Sequence, residues 1–290
     1  MTDTNPASPI KLNHEIYGQG DPLLCIHGFG ASLYSWRNFI GPLAKDYQLI
    51  LIDLKGCGES PKPRDTKYST RDHADLLYQF ILERDLRNLT LIGNSFGGAL
   101  SLLLSLMLAD ADEAARLKSL ILIDAGAYKE YVPAYLKLVS VPLINLGVYL
   151  IPSRAAVLAI LRKAYYDPSK ITEEQIAAYT APIAAPGGKH ALRETGRQLG
   201  PANFDELIKR YKDITVPTLI IWGRQDRIIP LKVGELLNRD IANSTFKIIE
   251  ECGHAPQEEK PEETVALVCE FLQSLCSARR EPIALPQGRA

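Results

Sequence analysis

Short apolar runs alternate with amphipathic stretches through most of this chain. Lys11–Tyr17, Leu23–Ile26, Gln48–Ile52, Thr90–Ile92, Ser119–Ile123, Thr218–Trp222 and Thr245–Glu250 have the length and composition of strands. Between them, Trp36–Lys45, Thr70–Arg84, Ala99–Ala109, Leu231–Leu237 and Pro261–Ser274 read as helices. Strands that alternate with helices, with no internal repeat, predict a parallel sheet with helices on its faces. The interval 126–213 breaks this rhythm. Eight of the chain's 19 prolines fall in residues 127–217 and cut it into short helical pieces.

The strand near residue 90 runs straight into Gly93-Asn94-Ser95-Phe96-Gly97, and helical composition follows at once. A strand-to-helix turn this tight holds the serine in a strained conformation, and side chains two residues to either side would strike backbone. Glycine at both places fits that turn, which leaves Ser95 exposed at a helix N-terminus. A serine hydroxyl is a weak nucleophile at neutral pH and needs a base, itself oriented by a carboxylate. His254 follows the strand Thr245–Glu250, on a loop where Pro256 is expected to keep helix from starting early. Two acids follow apolar strands: Asp226 after Thr218–Trp222, and Asp124 after Leu120–Ile123.

The chain resembles the α/β-hydrolases, in the lid-bearing group that holds esterases, carbon–carbon bond hydrolases, cofactor-free haloperoxidases, dehalogenases and epoxide hydrolases. The likeness rests on His27-Gly28-Phe29-Gly30, on Asp53 to Ser60 with Gly56 and Gly58, on residues 93–98, on Trp222–Asp226 and on Gly253-His254. It spans about residues 10 to 275. The resemblance implies the order Ser95, Asp226, His254 for nucleophile, acid and base. It favours Asp226 over Asp124 because the acid loop has the Trp-Gly-x-x-Asp form, leaving Asp124 as the alternative acid. It also implies that the backbone N–H groups of Phe29 and Phe96 form the oxyanion hole. His27 and Asp53 are then structural. Dehalogenases and epoxide hydrolases need a carboxylate where this chain has Ser95, so acyl transfer is the expected chemistry.

Composition narrows the partners. A net charge of −1 leaves no basic field for nucleic acid. The start of the chain is polar and unlike a signal peptide, and no stretch approaches the length of a membrane span. The five cysteines (Cys25, Cys57, Cys252, Cys269, Cys276) show no metal spacing and suit reduced thiols, so a cytoplasmic protein is expected. No cofactor and no metal are expected. Leu138–Ser153 carries no charge over sixteen residues and is expected to pack over the site's mouth. Tyrosines cluster nearby at 128, 131, 135, 149, 165, 166 and 179.

The expected architecture is an α/β-hydrolase fold: a mostly parallel twisted sheet flanked by helices, with a helical lid inserted after the sixth strand. The expected parts are a first core segment at 1–126, the lid at 127–213, a second core segment at 214–276 and a disordered tail at 277–290. The expected activity is hydrolysis of a small to medium, largely apolar ester. A carbon–carbon hydrolase of a vinylogous diketone is the alternative, with Arg162, Arg193 or Arg197 binding a carboxylate. A ligand-binding receptor or scaffold with weak turnover is a third reading.

Overall fold

The structure is a computed structural model that describes residues 10–133, 136, 147, 149–200 and 204–278. Seven strands form one sheet: β1 (His14–Tyr17), β2 (Pro22–Ile26), β3 (Gln48–Ile52), β4 (Leu89–Asn94), β5 (Leu117–Ile123), β6 (Thr218–Gly223) and β7 (Ser244–Ile249). Their spatial order is β1-β3-β2-β4-β5-β6-β7. Only the β1–β3 pair is antiparallel; the other five pairings are parallel.

Ten α-helices accompany the sheet in the described residues. Five flank it: α1 (Arg37–Leu43), α2 (Thr70–Glu83), α3 (Phe96–Asp110), α8 (Lys232–Asp240) and α10 (Pro261–Ala278). Four lie between β5 and β6: α4 (Ser153–Ala164), α5 (Glu173–Ala184), α6 (Gly188–Arg197) and α7 (Phe204–Lys209). The last, α9 (Pro256–Glu259), is a single turn before α10.

Alternation along the strands explains their unbroken apolar runs. Leu24 and Ile26 of β2, with Leu120 and Leu122 of β5, join a core under α2, α3 and α8. Leu23 and Cys25, with Ile121 and Ile123, turn to the opposite core under α1 and α10. Both faces are covered, so both sets of side chains are apolar. A third, smaller cluster joins Val157 and Leu161 of α4 to Ile176 and Tyr179 of α5 and to Ala255.

Three details differ from the sequence reading. The helical insert follows the fifth of seven strands in the described sheet, not the sixth. Pro256 does not delay helix but begins α9, where its missing N–H is one the first turn leaves unused anyway. The last helix runs to Ala278, two residues into the expected tail. Most of the uncharged run 138–153, Tyr135 and residues 279–290 lie outside the described residues.

Candidate active site

Parallel strands place their following loops along one edge of the sheet, and the residues singled out above gather there. Ser95 separates β4 from α3 with φ +54° and ψ −115°, a conformation that only surrounding structure maintains. Its N–H donates to Ile123 O at 3.0 Å, and its carbonyl accepts from Gly126 at 2.9 Å and Ala99 at 3.1 Å. A Cβ on Gly93 would lie 2.3 Å from Gly97 O, and one on Gly97 would lie 2.0 Å from Ile26 O. Glycine is thus required at both positions for the reason the motif suggested. The fifteen-residue helix α3 starts at Phe96, so its positive end faces the serine.

The turn after β2 is held from behind. His27 Nε2 accepts the Leu54 N–H at 3.0 Å, so its Nδ1 carries the proton and donates to Gly28 O at 2.8 Å. Burial pushes the His27 pKa down, which keeps the ring neutral. Asp53 is similarly structural: its carboxylate takes the N–H groups of Leu33 at 2.8 Å and Glu59 at 2.9 Å and the Asn13 side chain at 2.8 Å. Neither the Phe29 nor the Phe96 N–H takes part in a turn, loop or cap bond among the described residues. Both residues line the same cavity as Ser95 and His254.

His254 Nδ1 meets Asp226 Oδ2 at 2.7 Å, and the imidazole is buried. The other Asp226 oxygen accepts the N–H groups of Ile228 at 2.7 Å and Ile229 at 3.0 Å, which fixes the carboxylate's plane. That arrangement leaves Nε2 as the ring atom free for chemistry. Asp124 lies fully buried behind Asp226 and makes no hydrogen bond to His254 among the described residues. No hydrogen bond joins the Ser95 hydroxyl to the imidazole in this structure, as is common before substrate tightens a site.

Several supporting residues carried no sequence signal. Asn94 Nδ2 donates to Ile123 O and to His254 O, both at 3.2 Å, so the residue before the serine also steadies the histidine loop. Glu259 accepts the N–H groups of Gly253 at 2.7 Å, Tyr166 at 3.1 Å and Asp167 at 2.7 Å. Its carboxylate therefore joins that loop to the end of α4. Glu258 is buried and takes Arg37 at 2.6 Å, Gln175 at 2.8 Å and the Tyr179 hydroxyl at 2.8 Å. Burial raises its pKa, and the Arg37 guanidinium opposes that rise.

Ser95 and His254 open into a cavity of about 260 Å³ between the sheet edge and the helical insert. Leu102, Leu103 and Leu106 of α3 form one wall; Val157, Ile160 and Leu161 of α4 form another. Of the predicted tyrosines, Tyr128, Tyr131 and Tyr179 line it, and Tyr211 joins them unforeseen. The hydroxyls of Tyr128, Tyr179 and Tyr211 are occupied by Asp240, Glu258 and Ala127 O, so these residues add mainly ring surface. Glu258 is the only Asp, Glu, Lys or Arg among the described lining residues. The three arginines considered for a carboxylate lie elsewhere: Arg193 and Arg197 pair with buried Glu194, and Arg162 is exposed on α4. Burial pushes the Cys57 thiol up to about 12, and Cys252 is also raised, so neither is a ready nucleophile.

The alpha/beta hydrolase family matches residues 23–267 of the chain. The chain is 28% identical over 251 residues to the Bacillus subtilis protein named uncharacterized hydrolase YugF, covering 87% of this chain and 89% of that protein. It is equally similar, 28% over 258 residues, to the 2-hydroxy-6-oxononadienedioate/2-hydroxy-6-oxononatrienedioate hydrolase of Cupriavidus pinatubonensis, covering 87% and 86% of the two chains. The crystal structure of a meta-cleavage product hydrolase, CumD, aligns with a TM-score of 0.76 at 26% identity, over 92% of this chain and 96% of that one.

Proposed function

Since the chain belongs to the alpha/beta hydrolase family and is a hydrolase, we propose that it cleaves a neutral, largely apolar carboxylic ester through Ser95, His254 and Asp226. The observation that carries this reading is the cavity wall. The described lining offers apolar and ring surface, no lysine or arginine, and one buried carboxylate at Glu258. Such a wall favours an uncharged acyl group and opposes a second carboxylate on the substrate.

In the proposed reaction the Ser95 Oγ attacks the ester carbonyl while His254 Nε2 takes its proton. Asp226, on Nδ1, holds the ring in the tautomer that leaves Nε2 as acceptor and stabilises the imidazolium. The tetrahedral oxyanion is received by the N–H groups of Phe29 and Phe96, each worth about 3 kcal/mol of barrier where such donors have been measured. The carbon–oxygen bond to the alcohol then breaks, and His254 returns the proton to the leaving oxygen. Water enters, gives a proton to His254, attacks the acyl-enzyme and releases the acid with Ser95 restored. Helices α4–α7 act as the lid over this site.

A second reading comes from the similar proteins, one named as a 2-hydroxy-6-oxononadienedioate/2-hydroxy-6-oxononatrienedioate hydrolase and one as a meta-cleavage product hydrolase. In it, the same serine and histidine cleave a carbon–carbon bond of a vinylogous diketone. Steady-state kinetics on p-nitrophenyl esters of rising chain length, beside a ring-fission dienoate, separate the two. Esters turned over with a kcat/KM well above the dienoate's, lost in Ser95→Ala together with fluorophosphonate labelling, support the ester reading. The reverse preference, or labelling that persists in Ser95→Ala, overturns it.

A further inference from the structure

Asp124 ends β5 with φ +44°, and its carboxyl lies fully buried beneath the site. Its Oδ1 accepts the Gly223 N–H at 3.1 Å. Its Oδ2 is buried with no donor facing it. As an acceptor that oxygen is orphaned; as an O–H donor it has a partner. One oxygen of Asp124, one of Asp226 and a ring nitrogen of His254 all lie within 4.8 Å of one another.

Two carboxylates this close, in so buried a place, do not both ionise. The surroundings decide which keeps the proton. Asp226 receives three N–H groups, from His254, Ile228 and Ile229, all of which favour its charged form. Asp124 receives one. We propose that Asp124 is a positioning residue that holds a proton and donates it in a hydrogen bond to the Asp226 carboxylate, so that the acid oriented toward His254 is itself held by a second acid. This rests on the reading of Ser95, His254 and Asp226 given above.

The electrostatics agree. Burial, the Asp226 charge and Glu259 raise the Asp124 pKa well above the carboxylate range, with only the Gly223 N–H opposing them. Of the other titratable groups nearby, Cys252 is a neutral thiol and His254 carries charge only when protonated. Asparagine at 124 reproduces both bonds, with its oxygen toward Gly223 and its amide N–H toward Asp226; alanine reproduces neither.

Three measurements test the proposal. In an infrared difference spectrum between wild type and Asp124→Asn near neutral pH, the C=O band of a protonated carboxylic acid should appear in the wild type. Its absence overturns the proposal. Should Asp124→Asn fail to fold, the band is sought in wild type and in Glu258→Gln; a band that survives that change supports the proposal, and one lost with it overturns it. In kinetics, Asp124→Asn should stay within about threefold of wild type while Asp124→Ala loses about 10- to 100-fold in kcat, the scale of one hydrogen bond to a charged group. The acid limb of kcat/KM should not move in Asp124→Asn and should move to higher pH in Asp124→Ala, where Asp226 keeps its full charge. An acid limb that moves to lower pH in Asp124→Asn means that a negative charge was removed, and refutes the assignment. The infrared arm needs no turnover; a wild type that lacks ester hydrolysis and Ser95 labelling defeats the triad reading separately.

Discussion

The backbone N–H of His254 donates to the carbonyl of Ala164 at 2.6 Å, which ties the histidine loop to the last residue of α4. The helical insert and the site's chemistry therefore share one piece of scaffold. Glu259 reinforces that joint from the same side through its bonds to Gly253, Tyr166 and Asp167. Glu259→Gln replaces an acceptor with an amide N–H facing another N–H. The expected result is a loss of about 2–3 kcal/mol in stability, measured by urea unfolding, and a fall in kcat with KM for a short ester little changed. Equal activity in wild type and variant would show that the joint does not set the position of His254.

Asp226→Asn tests the orienting acid. With Nδ1 no longer facing a carboxylate, the wrong imidazole tautomer is favoured and kcat should fall by about 10⁴, as in other triads. Stability should fall only modestly, because the Ile228 and Ile229 N–H groups still find an oxygen. A loss below about tenfold would remove Asp226 from the reaction.

His73 gives the chain a specific acid sensitivity. It lies on α2, edge-on to Phe96, with Nδ1 unpartnered, and burial with Lys55 and His27 nearby pushes its pKa to about 3. A base whose folded pKa is depressed stabilises the fold fully above its unfolded value of about 6.5. That stability is lost as pH falls toward 3, by about 1.4 kcal/mol per pH unit once the unfolded chain is protonated. His73→Phe removes the titrating ring, giving up the 3.4 Å contact of Nε2 with the Thr195 hydroxyl, and should lose less stability than wild type between about pH 7 and pH 4. Parallel unfolding curves for the two proteins across that range would contradict the assignment.

Ile160 reports on the cavity with little cost to folding. It lines the cavity yet is 41% exposed. Each substrate methylene buried there gains about 0.8 kcal/mol, so kcat/KM should rise several-fold per added carbon from acetate to hexanoate until the space is full. Ile160→Asp should lower kcat/KM for hexanoate more than for acetate, with the melting temperature nearly unchanged. An equal loss on both esters would mean that the acyl chain lies along another wall. Leu143 and Ile144, in the uncharged run expected to pack over the site's mouth, lie outside the described residues.

The sheet and its loop chemistry were legible because each signal is local. An apolar strand, then a glycine turn, then a polar residue can be read within ten positions, and Ser95, Asp226 and His254 all have that form. Most strand ends differ from the expected ones by no more than two residues, with β1 starting three residues later than expected, and the short helix at Pro256 is not foreseen because a proline reads equally as a break and as a first turn. Glu259 was invisible for a different reason: its partners Tyr166 and Asp167 lie 93 and 92 residues away along the chain. Tyr211 and Glu258 entered the cavity in the same way, through packing between segments that the sequence keeps far apart. The pairing of Asp124 with Asp226 joins the ends of neighbouring strands β5 and β6, and no pattern along either strand announces it.

The oxyanion donors proposed at Phe29 and Phe96 are backbone groups carried by adjacent strands, β2 and β4, whose spacing is set by the sheet ladder. The reaction therefore makes no demand on the side chains at these two positions. Both residues line the cavity, so the positions proposed to carry the donors are also ones at which the shape of the acyl space can change while the donors stay in place. Selectivity and catalysis are thus separable at the same two positions, because one is written in side chains and the other in the main chain.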